Sequence, residues 1–216
     1  MPTVLSTKKL TLNQKELLLN SGIGLVEYNA ITIKFIDFNL KNSGIENAVF
    51  TSKNALKALD GIDLKIDSCY CVGDKTAAHA TEMGLRIFEK ADNAEALALK
   101  ILRDHSQKEF YFFSGNKRRD ELPVLLEKNN IKVKELKVYN TNLNLKEFKS
   151  EFDGIMFFSP SGVESYTSKN LLKTTAFCIG ETTASEVKKY TDNIIVATKP
   201  SVENVIAKVV SNLKNK

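Results

Sequence analysis

At 216 residues, 43% of them hydrophobic, the chain holds too much apolar material for a disordered protein and enough for one large domain or two small ones. No run of about 18 apolar residues occurs, which excludes a membrane-spanning helix, and Met1-Pro2-Thr3-Val4-Leu5-Ser6-Thr7 lacks the features of a signal peptide, so a cytoplasmic protein is expected. The net charge of +5, from 31 basic and 26 acidic residues without a basic stripe interleaved with aromatics, does not call for nucleic acid and suits a polyanionic small molecule equally.

Val4–Thr7 reads as a strand and Asn13–Asn20 as a helix. Leu25–Phe35 then runs long and β-prone, without closely flanking helices. Strands follow at Ala48–Thr51, Ser68–Gly73 and Arg86–Glu89, and a helix at Asn93–Arg103, where Leu97, Ile101 and Leu102 share a face. Glu109–Ser114 is the next strand and Arg119–Lys128 the next helix, before a second long β-prone segment, Ile131–Leu143. Strands at Gly154–Ser159, Thr175–Gly180 and Asn193–Ala197 precede a last helix, Val202–Leu213, which gathers Val202, Val205, Ile206 and Val209 on one face. Such alternation means parallel sheets covered by helices on both faces, an α/β, doubly wound architecture.

The chain is also written twice. Phe50-Thr51-Ser52 recurs as Phe157-Phe158-Ser159, and Cys71-Val72-Gly73-Asp74-Lys75-Thr76-Ala77 as Cys178-Ile179-Gly180-Glu181-Thr182-Thr183-Ala184, both without a gap. Weaker matches pair Val4-Leu5-Ser6 with Phe112-Phe113-Ser114, Leu17-Leu18 with Leu125-Leu126, and, after a short insertion, Tyr28-Asn29 with Tyr139-Asn140. Two tandem copies, roughly 1–108 and 109–216, imply a duplicated domain rather than a solenoid. The two long β segments occupy equivalent places in the copies. Paired as a ladder, they would join two domains and leave a cleft.

Ligands of open parallel sheets collect beyond the carboxyl ends of the strands, where helix N-termini expose amides. Small hydroxyl or glycine residues recur there: Ser6-Thr7, Thr51-Ser52, Gly73 with Thr76, Ser114-Gly115-Asn116, Ser159-Pro160-Ser161-Gly162, and Gly180 with Thr182 and Thr183. Taken singly, each hydroxyl reads as a helix cap; repeated at six strand ends, they make an anion cradle. Arg118 and Arg119 read either as solvated charges or as carboxylate partners. Gly22-Ile23-Gly24 follows a helix and is no dinucleotide fingerprint, and no Walker motif exists. Thr76 and Thr183 lack an adjacent activating base, and His79 reads as a surface helix position. Cys69, Cys71 and Cys178 read as buried free thiols; with only two histidines, neither a metal nor an organic cofactor is expected. The strand ends also lack the acidic cluster and phosphorylatable aspartate of paired receiver-like domains, which leaves a non-enzymatic two-domain binder of a small anion as the alternative to an enzyme.

Phe157-Phe158-Ser159-Pro160-Ser161-Gly162 followed by Ile179-Gly180-Glu181-Thr182-Thr183-Ala184 resembles the most recognisable segment of uroporphyrinogen-III synthases. Val138-Tyr139-Asn140-Thr141, Gly115-Asn116 with Arg119, Phe50-Thr51-Ser52-Lys53-Asn54-Ala55, Val72-Gly73 with Thr76-Ala77, and Lys199-Pro200-Ser201 match in the expected order, over nearly the whole chain. The resemblance implies one discontinuous α/β domain from 1–33 plus 142–216, a second from 36–130, and a hinge ladder of 25–35 and 131–143. It implies a lyase that closes hydroxymethylbilane to uroporphyrinogen III with loss of water and inversion of ring D, through an azafulvene and a spiro intermediate. Tyr139 would assist hydroxyl departure. Substrate binding would fall to Ser52, Thr76, Ser114, Gly115, Asn116, Arg119, Ser159, Ser161, Gly162, Thr182 and Thr183. The expected protein is a cytoplasmic monomer, with the bilane-forming enzyme as a candidate partner. One departure is Thr175, where some relatives carry a lysine; no lysine role carries over there.

Overall fold

The computed structural model describes residues 1–40, 44–117 and 121–214. The first part runs β1 (Thr3–Ser6), α1 (Leu12–Leu19), β2 (Gly24–Glu27), β3 (Ile31–Phe35), β4 (Gly44–Phe50), α2 (Lys53–Lys57), β5 (Lys65–Val72), α3 (Asp74–Glu82), β6 (Ile87–Ala91) and α4 (Ala94–Asp104). The second runs β7 (Phe110–Gly115), α5 (Glu121–Lys128), β8 (Val133–Leu143), β9 (Gly154–Phe157), α6 (Pro160–Thr167), β10 (Thr175–Cys178), α7 (Glu181–Val187), β11 (Ile194–Val196) and α8 (Val202–Leu213).

The strands form two sheets, ordered β11-β10-β9-β1-β2 and β3-β8-β7-β4-β5-β6. From β11 to β2, and from β8 to β6, all neighbours run parallel. Two compact units result, Met1–Thr32 with Asn142–Lys216, and Ile33–Thr141. Written as β2-β1-β9-β10-β11 and β8-β7-β4-β5-β6, the two five-strand arrays correspond element for element under the sequence repeat. The tandem copies are nevertheless not the folding units. Each sheet takes its first two strands and the intervening helix from one copy and its remaining strands from the other. This exchange follows from β3, which is hydrogen-bonded beside β8 and so carries the chain out of the first sheet into the second.

Leu25–Phe35 is therefore not one ladder strand. Leu25 to Glu27 belong to the five-stranded sheet, and only Ile31–Phe35 neighbours β8. The break lies at Tyr28 to Ala30, where the Tyr28 and Ala30 amides donate to the Ser6 and Thr7 carbonyls at the end of β1. β8 neighbours β3 on one side and pairs with β7 on the other, from Val133 to Tyr139.

Sheet strands covered on both faces read as continuous apolar runs. Ile155, Met156 and Phe157 of β9, and Ala48, Val49 and Phe50 of β4, are fully buried. The helices add Val205, Ile206, Val209 and Leu213 from α8 and Leu97, Ala98 and Ile101 from α4. Each large aliphatic side chain so buried contributes about 1.5–3 kcal/mol. Gly154 has no room for more than a hydrogen, because a Cβ there would come 2.6 Å from a ring carbon of buried Phe177.

Candidate active site

Every helix N-terminus leaves amides without intrahelical partners. Five helices satisfy one with a side chain: Thr11 caps α1, Ser52 caps α2, Asn93 caps α4, Ser159 caps α6 and Ser201 caps α8. By contrast, α3 and α7 begin at Gly73 and Gly180 with no side-chain cap. Gly73 has φ +81°, a left-handed conformation that favours glycine. Gly180 is extended and has open space where a Cβ would sit, so its missing side chain simply leaves the amides uncovered.

Thr76 and Thr183 stand third in these two helices, at corresponding positions of the two units. Thr76 is 6% exposed and Thr183 is 3% exposed. Among the described residues, their hydroxyls have no hydrogen-bond partner, whereas Thr182 is exposed. Three other strand-end hydroxyls are bonded. Thr7 Oγ1 donates to the Met156 carbonyl at 2.8 Å, Ser52 Oγ accepts from the Asn54 amide at 3.2 Å, and Ser159 Oγ accepts from the Gly162 amide at 3.1 Å. A serine that caps as acceptor keeps its own O–H to donate. Ser161 is half-buried in the first turn of α6. Gly162 is buried, and a Cβ there would come 3.5 Å from Thr7 Oγ1.

In each sheet the connections leave in opposite directions between one pair of neighbours, β1 and β9 in the first and β7 and β4 in the second. Ligands of doubly wound sheets collect at the carboxyl ends of such pairs. Thr7 and Ser159 lie there in one unit, Ser52 and Gly115 in the other. Gly115 opens space for Tyr139, since a Cβ would overlap that ring and lie 2.9 Å from its Oη. Ser114 and Asn116 were expected to face substrate, but both are bonded to β8. Ser114 Oγ donates to Glu135 Oε1 at 2.5 Å, while Asn116 Oδ1 accepts from the Thr141 amide at 2.7 Å. Arg119, like Arg118, lies outside the described residues.

The sequence reading passed over one group. Lys8, Lys53, Lys75, Lys117 and Lys199 are exposed, each within about three residues of the carboxyl end of a parallel strand. Their signal was present in Ser6-Thr7-Lys8, Thr51-Ser52-Lys53, Gly73-Asp74-Lys75, Gly115-Asn116-Lys117 and Thr198-Lys199. The adjoining Asp74 is neutralised by Lys90, whose ammonium holds its carboxyl below the usual aspartate range. Burial pushes the Cys69 and Cys178 thiols up to about 12 and Cys71 up to about 11, so none is a nucleophile at neutral pH. His79 is half-buried with Nδ1 3.0 Å from Glu82 Oε2, away from any strand end. Among the described residues, no three His, Cys, Asp or Glu side chains form a metal-binding group, and no helix is long and apolar enough to cross a membrane.

Comparison with known proteins accords with this geometry. The family model described as uroporphyrinogen-III synthase HemD matches residues 14–207. A porphyrin biosynthesis protein HemD of Ruminiclostridium josui is 29% identical over an alignment of 188 residues that covers 74% of this chain; the chain spans only 37% of that relative's length. The crystal structure of uroporphyrinogen-III synthetase from Helicobacter pylori is similar at TM-score 0.74 and 16% identity, covering 98% of this chain and 100% of that one. A mutant uroporphyrinogen III synthase from Thermus thermophilus is similar at TM-score 0.70 and 14% identity, covering 100% of each chain. At such identities the structures establish a shared fold, and the matched family model establishes more: this chain belongs to the uroporphyrinogen-III synthase family.

Proposed function

We propose that this chain cyclises hydroxymethylbilane to uroporphyrinogen III, releasing one water and inverting the last pyrrole ring. Within the family assignment, the observation that carries this reading is the pair Thr76 and Thr183 at uncapped helix N-termini, side chains almost wholly buried whose unbonded hydroxyl oxygens themselves stay open to solvent. A ligand rich in carboxylates supplies what those helices lack. Each carboxylate at such a terminus gains about 0.3–1 kcal/mol from the helix dipole, and up to about 2 when partly buried. Ser52, Ser159 and Ser161 can add O–H donors, Gly162 room for close approach, and the strand-end lysines long-range attraction.

The Tyr139 phenol donates a hydrogen bond to the departing hydroxyl, which leaves as water once protonated and generates an azafulvene. The azafulvene carbon forms its bond to the substituted carbon of ring D. The resulting spiro intermediate fragments and recloses with the ring inverted, and a proton is lost from the closing carbon. Pyrroles are electron-rich, so ionisation is easy; the protein's main contribution is to fix the conformer, a proximity effect. Three buried free thiols suit a reducing compartment, and the cytoplasm is the proposed location. Bilane consumption at sub-stoichiometric protein tests catalysis. The expected result is many turnovers per chain above the spontaneous rate; uptake that stops at one equivalent would identify a binder.

A further inference from the structure

We propose that Asn116 is a positioning residue for Tyr139, and that the irregularity at Ser114/Gly115 re-aims this tyrosine to the margin of the core, where it is half-buried; the proposal rests on the cyclisation reading above. The two units supply an internal comparison. β1 and β2 keep an unbroken register from Thr3 opposite Gly24 to Ser6 opposite Glu27. β7 and β8 follow the same course to Ser114 opposite Lys137, but there the register slips, and Gly115 stands opposite Tyr139 rather than Val138. Such a bulge re-aims the side chains that follow it.

Tyr28 directly follows Glu27, as Val138 directly follows Lys137, and both face the core. Tyr28 is 5% exposed, with its ring edge-on to Phe148 at 5.0 Å, and Val138 is fully buried. The sequence repeat equates Tyr28 with Tyr139, yet in register they differ by one residue, and Tyr139 is half-buried at the edge of the cluster that holds Val138. Gly115 then accommodates the re-aimed ring. Its counterpart in the first unit, next after Ser6, is Thr7, whose Cβ would deny that space.

Asn116 holds the arrangement in place. Its backbone amide donates to the Tyr139 carbonyl at 3.3 Å. Its side chain accepts from the Thr141 amide at 2.7 Å and donates to the Thr141 carbonyl at 3.4 Å. β7 has ended at Gly115, so this side-chain amide serves as one more peptide of the ladder and clamps β8 immediately beyond Tyr139. In the first unit the Thr7 carbonyl does that work, accepting from the Ala30 amide at 3.0 Å.

The test is a double-mutant cycle of Asn116→Ala and Tyr139→Phe, with Asn116→Asp as the conservative variant that keeps the acceptor for Thr141. Asn116→Ala is expected to lower kcat to within about threefold of Tyr139→Phe, with KM changed less than about threefold, and the double variant to lose no more than either single one. Asn116→Asp should recover most of kcat. Independent losses that multiply, or a loss confined to KM as expected of a carboxylate ligand, would overturn the proposal. A second readout needs no activity. With fluorotyrosine at the six tyrosines, the Tyr139 fluorine resonance, identified by its absence in Tyr139→Phe, should move in Asn116→Ala while the other five stay. An unmoved Tyr139 resonance would refute the clamp even if the enzyme is active. A wild-type protein without turnover would instead sink the cyclisation reading and leave the resonances to decide the clamp.

Discussion

Replacing Thr183 by valine separates a ligand hydroxyl from a structural one, because the two roles predict different effects on stability. The side chain is 3% exposed, and its hydroxyl has no partner among the described residues. The hydroxyl oxygen is not among the buried unpaired polar atoms, so it keeps access to water and its removal relieves no large desolvation cost. Valine has nearly the same shape, so the stability of the folded protein should change by less than about 1 kcal/mol, equivalent to about 2–4 °C in Tm for a chain of this size. In the substrate complex the loss is larger, since a hydrogen bond to a charged group is worth about 1.5–3 kcal/mol. KM should then rise about ten- to a hundredfold while kcat stays within about threefold. Steady-state cyclisation of freshly generated bilane and a thermal melt of the same preparation give both numbers. Thr76→Val should behave alike in the other unit, and the two KM effects should multiply. A Tm that falls by several degrees with KM unaltered would mean the hydroxyl only supports the helix, and the account of substrate binding would be wrong.

Tyr139→Phe should lower kcat by about ten- to a hundredfold without abolishing turnover, because the hydroxyl leaves readily on its own; an unchanged single-turnover rate would remove the phenol from the reaction. KM should rise with ionic strength as the attraction of Lys8, Lys53, Lys75, Lys117 and Lys199 for a polyanion is screened, and a flat salt profile would contradict that attraction. Glu27 gives a pH prediction. Burial pushes its carboxyl up, but the Leu10 amide and the Lys15 ammonium outweigh this and hold it below the usual glutamate range. A carboxyl so depressed stabilises the fold above its unfolded value and ceases to do so as pH falls through the folded one. Glu27→Gln should therefore lower stability by about 1 kcal/mol at neutral pH, and the gap from wild type should close below about pH 4.5; a gap independent of pH would show that charge is not involved.

Local physics was well written in the sequence. Val205, Ile206, Val209 and Leu213 recur at helical spacing behind Ser201, and the last helix spans Val202–Leu213 as the pattern indicates. Fully apolar runs such as Ala48-Val49-Phe50 announce strands buried on both faces, and with them the α/β class. Which sheet a strand joins was less legible, because pairing is long-range: nothing in Val4-Leu5-Ser6 shows that its neighbours are Gly24–Glu27 and Gly154–Met156. The same limit governed the candidate site. Ser114 matches a binding motif by type, but its hydroxyl meets Glu135, 21 residues away. The one-residue slip that separates Tyr28 from Tyr139 is hidden inside the short insertion needed to pair them, and an alignment by identity does not say where in the strand it falls.

The most direct test of the central claim is the identity of the product. Free hydroxymethylbilane closes unaided at the unsubstituted position of ring D and gives the uninverted type I isomer. A protein that only bound the bilane, or only hastened loss of water, would leave that preference standing. Diverting closure to the substituted carbon needs about 1.4 kcal/mol per factor of ten in isomer ratio, which a few correctly placed carboxylate contacts can provide. Folded protein given fresh bilane, followed by oxidation and chromatographic separation of the porphyrin isomers, is predicted to yield predominantly type III, formed faster than the spontaneous reaction. Type I porphyrin formed at the protein-free rate would contradict the account.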